Sequence, residues 1–442
     1  MRNKRKEKEN VKVLFTICNV VLYLGLFLLI VSNFYKNVVN NSYYGYTLIS
    51  IIYVILYIIF GKMCEIFELG ETRVYDLFLS YSLTLFITNF FIYFVNSLIS
   101  TKMVSVWPLI LLQILDMVIL GFILLGENRY IRDNYPIPKA IAIFGEPNYE
   151  ILEKIYKYRD ILVTVDKKVD IKEINFRKLN ETLEGYERVI TVDVDHEHKK
   201  KIFKACYENK IRLLDIPSIS DMLIASSSIM HVIDTPILKI NKFGPTTLEA
   251  LVKRIIDIFG SLILIILTSP IMIGVCIAIR CDDSGSILFK QKRLTKDGKE
   301  FNIYKFRSMV MNAERLTGAV FAKENDPRIT KVGKFIRKTR FDELPQLFNI
   351  LKGDMTFVGP RPERPEIYAD ITKKMPEFKY RLVVKAGLTG YAQIYGKYNT
   401  SLRDKLLLDL YYIENYSLID DIKLLVQTLK IIFKPESTEG IK

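Results

Sequence analysis

The chain has 442 residues, half of them hydrophobic, and carries 63 Lys and Arg against 49 Asp and Glu, a formal net charge of +14. This length is enough for two or three domains, and the long apolar blocks exclude a purely water-soluble chain. The five cysteines are an odd number without metal-site spacing, so we expect reduced thiols rather than a disulfide framework or a zinc site.

Four apolar blocks in a region covering residues 1–130 predict transmembrane helices. Each has about the 20 residues that a helix needs to cross the hydrocarbon core, and only Asp116 interrupts the fourth. A cleaved signal peptide is not expected, because the first block lacks a small-residue cleavage site and three more follow. The predicted spans are about 13–35, 40–61, 77–101 and 103–126.

Basic residues predict the orientation of these helices. Six Lys and Arg precede the first span, whereas the presumed outer loops carry only Lys36 and Lys102. The positive-inside rule therefore places the N-terminus in the cytosol. Four crossings return the chain there, in agreement with Arg129, Arg132 and Lys139. Everything after the fourth span is expected on the cytosolic side.

Residues 131–245 predict a Rossmann-like α/β domain, because short apolar runs alternate with helical patterns. Gly145 stands alone after the first predicted strand, so the three-glycine fingerprint of dinucleotide binding is absent. We expect a regulatory or oligomerising domain rather than an NAD site. The strands are predicted at 140–144, 161–165, 189–192 and 211–214, and the helices at 149–157 and 196–209.

Two polar motifs in this domain each allow a functional interpretation. Asp193 and Asp195 follow a strand, as the metal-binding acid pair of many nucleotide-sugar glycosyltransferases does, but Asp195 also suits a helix N-cap. His196 and His198 do not share a face of the predicted helix, so a common metal ion is not expected. We favour a polar turn and a solvated first helical turn.

A fifth apolar block, residues 255–279, is predicted to be a re-entrant helix spanning 253–280. A full crossing would place the basic stretch 285–340 outside the cell, against the positive-inside rule. Ser269 and Pro270 lie near its middle, where proline breaks or kinks a helix. A helix that enters the membrane, bends at Ser269-Pro270 and returns to the same face satisfies both observations. A kinked helix that crosses the membrane is the alternative.

The basic stretch itself implies an anionic partner. It holds fifteen Lys and Arg against five Asp and Glu, and no nucleic-acid motif accompanies it, so headgroups or a nucleotide are expected rather than nucleic acid. Within it, residues 287–294 and 300–306 flank a Lys-Asp-Gly turn and predict a β-hairpin. Residues 404–434 predict two amphipathic helices broken at 415–417, which would lie in the membrane interface or pack on a soluble core.

An acid pair and an arginine turn suggest phosphoryl-transfer chemistry. Asp342 and Glu343 precede Pro345, which is tolerated in a first helical turn, and the helix dipole there favours a charged carboxylate. At this exposed helix start neither side chain is expected to carry core packing. Arg361, within Gly-Pro-Arg-Pro, offers a planar fork that suits a phosphate. An ordinary helix cap beside a surface turn would use the same residue types.

From about residue 251 to the end, the chain resembles the bacterial sugar transferase family, monotopic phosphoglycosyl transferases that act on polyprenyl phosphate. The four spans and the α/β domain resemble its long-form members, so residues 246–442 are expected to form an α+β catalytic domain. The motifs that carry the resemblance are Lys253-Arg254 with Asp257, Ser269-Pro270, Tyr304-Lys305-Phe306-Arg307-Ser308-Met309, Phe341-Asp342-Glu343-Leu344, Leu351-Lys352-Gly353-Asp354-Met355, Gly359-Pro360-Arg361-Pro362 and Gly387-Leu388-Thr389-Gly390-Tyr391-Ala392-Gln393.

The resemblance implies a two-step reaction. Asp342 would attack the β-phosphate of a UDP-sugar, release UMP and form a covalent phosphosugar, which undecaprenyl phosphate would then accept. Glu343, with Asp342, would hold Mg²⁺, and Lys305 and Arg361 would act in catalysis. The residues implied to bind substrate are Lys253, Arg254, Arg307, Arg337, Lys397 and Asp421. Two positions depart from the family pattern, Ala386 for proline and Lys397 for arginine.

The resemblance also implies the setting of the reaction. The protein would be a multi-pass protein of the bacterial inner membrane, with both soluble domains cytosolic, and would start polysaccharide assembly. Membrane lipids are expected partners, and a homodimer is allowed. Two alternatives stay open: a polytopic glycosyltransferase that uses Asp193 and Asp195 and releases UDP, and a non-catalytic membrane scaffold or sensor. The released nucleotide distinguishes the first of these, and no motif specifies the sugar.

Overall fold

The computed structural model describes residues 2–36, 43–145, 164–225, 227–240, 244–282, 285–311, 326–396 and 400–432. The chain divides into two compact units, Met1–Ser218 and Ile219–Lys442, and each is described by itself. The predicted helix 149–157, most of the predicted strand 161–165 and the predicted substrate-binding Lys397 lie outside the described residues.

The first unit begins with four long apolar helices, α1 (Arg2–Phe34), α2 (Tyr43–Cys64), α3 (Val74–Ile99) and α4 (Trp107–Asn134). Each is long and apolar enough to cross a membrane, as the sequence predicts. Their outward side chains are large and hydrophobic; Phe122 on α4 is 77% exposed. Such surfaces suit contact with lipid, and they mark a membrane protein.

The remainder of the first unit is a parallel α/β layer. Its sheet has the order β2-β1-β3-β4, and every neighbouring pair is parallel. The core forms because alternating apolar side chains, such as Ile141 and Val189, are fully buried against Leu183 and Ile202. The elements are β1 (Lys139–Phe144), β2 (Thr164–Asp170), α5 (Leu179–Leu183), β3 (Arg188–Val192), α6 (His196–Asn209) and β4 (Arg212–Asp215).

The second unit opens with α7 (Ile219–Ala225) and a hairpin of β5 (Ser228–Val232) and β6 (Thr235–Lys239) that the sequence did not predict. The long helix α8 (Thr247–Asp282) follows and continues through Pro270. The Ser269 hydroxyl donates to the Ile266 carbonyl at 2.8 Å, one turn back. A return of this helix to one membrane face stays a prediction.

Beyond α8, β7 (Leu288–Leu294) and β8 (Glu300–Phe306) form the predicted antiparallel hairpin. Asp297 and Gly298 in its turn have φ of 57° and 72°, a left-handed conformation that Asp and Gly tolerate. Two short strands, β9 (Thr356–Val358) and β10 (Gly387–Thr389), pair in parallel. The helices of this part are α9 (Lys331–Lys338), α10 (Gln346–Lys352), α11 (Pro365–Lys374), α12 (Tyr391–Tyr395), α13 (Leu402–Glu414) and α14 (Leu418–Ile432).

The predicted break between the last two helices is confirmed, and both pack on the soluble core. Tyr412 and Ile413 of α13 and Leu424 of α14 are buried in one cluster with Met355 and Phe357. Core packing therefore explains the buried face of each helix. Ile419, Ile422 and Leu429 on α14 are exposed, and a position of this face in the membrane interface stays a prediction. The same cluster supports β8, α10 and β9, the elements that carry and brace the acid pair and its basic neighbours.

Candidate active site

Asp342 and Glu343 lie on a tight turn between two helices. The turn is a 3₁₀ segment, Phe341–Glu343, and α10 begins three residues later, after Pro345. Arg340, just before it, has φ of 61°, so the chain reverses sharply at the end of the preceding helix. The predicted helix start is therefore a separate turn, which holds the two acids ahead of α10.

Glu343 is held by two cations from different parts of the chain. The Lys305 ammonium on β8 lies 2.9 Å from its Oε1, and the Arg361 guanidinium lies 3.3 Å from the same atom. Its side chain is only 14% exposed, so it is not the open surface group that the sequence predicts. Despite burial, Lys305 and Arg361 hold the pKa of Glu343 well below its usual range.

Asp342 differs from its neighbour because its carboxylate is uncommitted. Among the described residues it has no ion pair or hydrogen bond, and longer-range charges, including those of Lys305, Arg337 and Arg340, stabilise its ionised form. Burial and the adjacent Glu343 outweigh them and raise the pKa of Asp342 to about 6. Two adjacent acids therefore have different states, one fixed and anionic and the other free to react.

Arg361 lies on a turn that is fixed by its backbone. The Gly359 amide donates to Thr389 at 2.8 Å, and the Gly387 amide donates to the Pro360 carbonyl at 2.9 Å. A Cβ on Gly387 would lie 2.1 Å from the Gly359 nitrogen, so this close approach requires glycine. These contacts fix the backbone of the turn and therefore the position from which the Arg361 side chain extends.

Three buried residues that sequence analysis missed brace these elements. Arg381 donates to the Arg361 carbonyl at 3.0 Å and pairs with Asp409 at 2.7 Å. Asn349 on α10 accepts from the Tyr304 amide at 2.9 Å and donates to the Asn302 carbonyl at 2.8 Å. These bonds connect α10 to β8 beside Lys305. The motifs around these residues gave no signal of such partners, because each is distant in sequence.

Lys305 and Arg361 also line a small, open surface depression. Its other lining residues are Arg293, Ile303, Gln346, Pro362 and Gly387. Three cationic side chains around one depression suit the oxygens of a phosphate. The structure thus brings together four predicted residues, Asp342, Glu343, Lys305 and Arg361.

The other predicted substrate-binding residues have structural contacts. Lys253 pairs with Asp421, whose carboxylate also accepts the Tyr412 hydroxyl at 2.8 Å. Arg254 donates to the carbonyls of Ile350 and Leu351 at 2.7 and 2.8 Å and so caps the C-terminus of α10. Both interactions fasten the start of α8 to the core.

Arg307 and Arg337 complete the set. Arg307 is 7% exposed, directly after β8. Arg337 lies in the last turn of α9 and contributes to the field at Asp342. Neither side chain contacts Glu343 within ion-pair distance, so their part in substrate binding stays a prediction.

Magnesium at the acid pair stays a prediction, and Asp342 and Glu343 are the residues that could hold it. Among the described residues no group of three or more His, Cys, Asp and Glu side chains converges on one point. Mg²⁺ is commonly held by one or two carboxylates and completes its shell with water and substrate phosphates. Asp342 and Glu343 supply such carboxylates beside a basic pocket.

Comparison with known proteins locates the family match within the second unit. Residues 248–435 match the family model described as bacterial sugar transferase. The chain is 37% identical over 236 residues to the UDP-N-acetylgalactosamine-undecaprenyl-phosphate N-acetylgalactosaminephosphotransferase of Aeromonas hydrophila, a match covering 53% of this chain and 55% of that protein.

Two further relatives differ in length. The undecaprenyl-phosphate galactose phosphotransferase of Salmonella typhimurium is 38% identical over 196 residues, 41% of this chain and 40% of that protein. The exopolysaccharide production protein PSS of Rhizobium leguminosarum bv. phaseoli is 36% identical over 190 residues, 41% of this chain and 95% of that protein. The chain therefore spans about half the length of the longer relatives and nearly all of the short one.

Proposed function

Because the chain belongs to the bacterial sugar transferase family, we propose that it transfers a sugar 1-phosphate from a UDP-sugar to undecaprenyl phosphate, the acceptor in the relatives' names. The observation that carries this proposal is the unequal acid pair. Glu343 is fixed by Lys305 and Arg361, while Asp342 beside it has no hydrogen bond or ion pair among the described residues. One acid is thereby left to act as a nucleophile.

In the first step, an Asp342 carboxylate oxygen attacks the β-phosphorus of the UDP-sugar. A new P–O bond forms, the bond to the oxygen that bridges to the α-phosphate breaks, and UMP leaves with that electron pair. The product is an aspartyl phosphosugar. Lys305 and Arg361 neutralise charge on the phosphate oxygens, which is the main requirement of phosphoryl transfer. Bound Mg²⁺ would supply further charge neutralisation at the same oxygens.

In the second step, a phosphate oxygen of the lipid attacks the same phosphorus. The bond to Asp342 breaks, the carboxylate is regenerated, and the lipid diphosphosugar is released. A carboxylate nucleophile divides one difficult displacement into two easier ones. The rigid turn that carries Arg361 would keep the cation in the same place for both.

The packing of α8 supports the predicted re-entrant arrangement. Near its start, Asp257 accepts from the Phe357 amide at 3.0 Å, and near its end, Met272 and Ile279 pack on Phe306. The middle is exposed and apolar, with Leu267 67% exposed. Because both ends rest on the same soluble unit, we infer that the middle dips into one leaflet and brings the site to the lipid headgroups.

Neither alternative function gains support from the structure. Asp195 caps α6 through the His198 amide at 3.2 Å, and its other oxygen lies 2.5 Å from the His198 ring. Both of its oxygens are therefore engaged locally, as expected of a helix cap rather than a metal ligand. The retained acid pair with its two cations argues against a non-catalytic scaffold.

The proposal is tested with the purified full chain, undecaprenyl phosphate, Mg²⁺ and a panel of UDP-sugars. UMP release with one or more donors supports it, and UDP release or no nucleotide release contradicts it. Asp342→Asn should lose all turnover. Asp297→Asn is the matched control, because it changes another Asp to Asn in a hairpin turn where the left-handed φ of 57° suits Asn.

A further inference from the structure

The interior of the α1–α4 bundle is unusually polar for a set of membrane-spanning helices. On α4 the buried positions recur every three or four residues, and this inward stripe includes Asp116 and Glu127. The two acids lie three helical turns apart, about 16 Å at 1.5 Å per residue. Asp116 has no exposed surface, and Glu127 is 7% exposed. Ionisable groups inside a membrane bundle are costly and are usually functional.

No basic side chain neutralises these two acids. Among the described residues, no Lys or Arg lies within ion-pair distance of either carboxylate. Their polar neighbours are amides: Asn89 donates to Asp116 at 3.5 Å, and Asn19 donates to Glu127 at 3.1 Å. Amide donors alone leave a buried negative charge uncompensated.

The same interior holds oxygen atoms that have no hydrogen-bond partner among the described residues. They include one carboxylate oxygen each of Asp116 and Glu127, the Asn89 amide oxygen, and the hydroxyls of Tyr53 and Tyr57. The two tyrosines are each 1% exposed. Tyr53 lies within electrostatic range of Asp116, and Tyr57 of Glu127.

The tyrosine hydroxyls can donate or accept, but the free oxygens of Asp116, Glu127 and Asn89 can only accept. These acceptor-only oxygens indicate a positively charged or proton-donating partner. Buried polar atoms in native proteins nearly always have a partner, whether protein, water or ion. Oxygen atoms around an uncompensated carboxylate are the donor set of a small cation.

We propose that Asp116, with Asn89 and the Tyr53 hydroxyl, binds a small monovalent cation, either Na⁺ or a proton, inside the four-helix bundle. The titratable groups that face Asp116 are Tyr23 from α1 and Tyr53 from α2. Tyr57 from α2 and Tyr81 from α3 lie nearer to Glu127, at the other end of the stripe on α4. The bound cation neutralises Asp116 and thereby stabilises the bundle. This site is independent of the acid pair in the second unit and of the proposed reaction.

The test measures the melting temperature of the full chain in lipid nanodiscs. In one arm Na⁺ replaces choline at constant ionic strength and pH; in the other, pH rises from 5 to 8 without Na⁺. If Na⁺ binds, each tenfold rise above its dissociation constant raises the Tm by about 3 °C. If a proton binds, the Tm falls by a similar amount per pH unit as the proton is lost. Asp116→Asn should abolish the Na⁺ dependence. In the pH arm the comparison is made in an Asp342→Asn background, since Asp342 titrates in the same range, and there Asp116→Asn should remove most of the remaining pH dependence.

Control variants make the outcome specific. Asp133→Asn removes an exposed acid that pairs with Arg129 at the end of the same helix, and it should keep the native dependence. Tyr53→Phe should weaken the dependence of the Tm on the cation. If the Tyr53 hydroxyl does not contact the cation, its removal would leave that dependence unchanged. The proposal is overturned if the native Tm responds to neither Na⁺ nor pH, or if Asp116→Asn responds as the native protein does. Should Asp116→Asn not fold, the Tyr53→Phe result decides.

Discussion

Arg381 offers a direct test of how the active-site turn is held. Its side chain is 6% exposed and pairs with Asp409, which is 2% exposed, at 2.7 Å. It also donates to the Arg361 carbonyl at 3.0 Å and lies 3.5 Å from Glu363. Burial raises the pKa of Asp409 even though Arg381 opposes the shift, so this carboxylate depends on its partner.

Arg381→Met should therefore destabilise the second unit strongly. Removing one partner of a buried ion pair costs about 3–5 kcal/mol, because the other charge is left uncompensated. For a domain of this size each kcal/mol lowers the Tm by about 2–4 °C, so we expect a Tm lower by roughly 6–20 °C. The double variant Arg381→Met with Asp409→Asn should recover much of this loss, since the unpaired charge is gone.

Measuring UMP release in the same two variants distinguishes the effect of Arg381 on the position of Arg361 from its effect on stability. Both lack the hydrogen bond to the Arg361 carbonyl, so UMP release measured well below the Tm should fall by roughly tenfold or more in each. Thermal unfolding and initial rates of the full chain, measured in parallel, check both expectations. A single variant as stable as the native protein, or full activity in the double variant, would refute the reasoning.

Four further predictions concern the acid pair and α8. Asp342→Asn should abolish UMP release with little change in Tm near pH 6. Glu343→Gln should reduce UMP release at least tenfold and should also lower the Tm, because it leaves Lys305 without its buried ionic partner. Full turnover in either variant would contradict these roles. Since the pKa of Asp342 is raised to about 6, UMP release should fall about tenfold per unit below that pH. The stability of the fold changes with pH in the opposite direction to UMP release. Protonated Asp342 stabilises the folded chain, and this contribution is fully present below the ordinary pKa of Asp and is lost as pH rises through about 6. Without Mg²⁺, Asp342→Asn should therefore melt at a higher temperature than the native protein at pH 8. In a chain with its other cysteines removed, a cysteine at Thr247 and the native Cys281 should react only from the cytosolic side; labelling of Cys281 from outside would mean that α8 crosses.

Local sequence patterns were sufficient for much of the fold. The predicted helix 196–209 coincides with α6, and the strands at 140–144 and 189–192 fall within β1 and β3. In each case the signal that predicts the element, a run of apolar residues or a helix cap, lies within a few residues of sequence. The predicted acid pair and its two cations also lie close together in the structure. Their proximity could be predicted because they belong to motifs of one family, whereas the periodicity of apolar residues carries no information about contacts between distant segments.

Other features were not predictable, for physical reasons. The strand β2 carries Lys167 and Lys168 between its apolar positions, so an edge strand in contact with water lacked an apolar run. The β5–β6 hairpin turns at Ile233, with φ of 59°, and a β-branched residue is not a turn signal. The Arg381–Asp409 pair joins residues 28 apart in sequence, which only the folded core brings together.

The most direct test of the central claim is a measurement on enzyme incubated with its UDP-sugar and Mg²⁺ but no lipid. If Asp342 is the nucleophile, UMP appears in a burst of at most one equivalent per chain. The intact mass then rises by that of the sugar phosphate, the increment disappears when undecaprenyl phosphate is added, and Asp342→Asn shows neither signal. Release of UMP only when the lipid is present, with no mass increment at any time, would contradict the covalent mechanism.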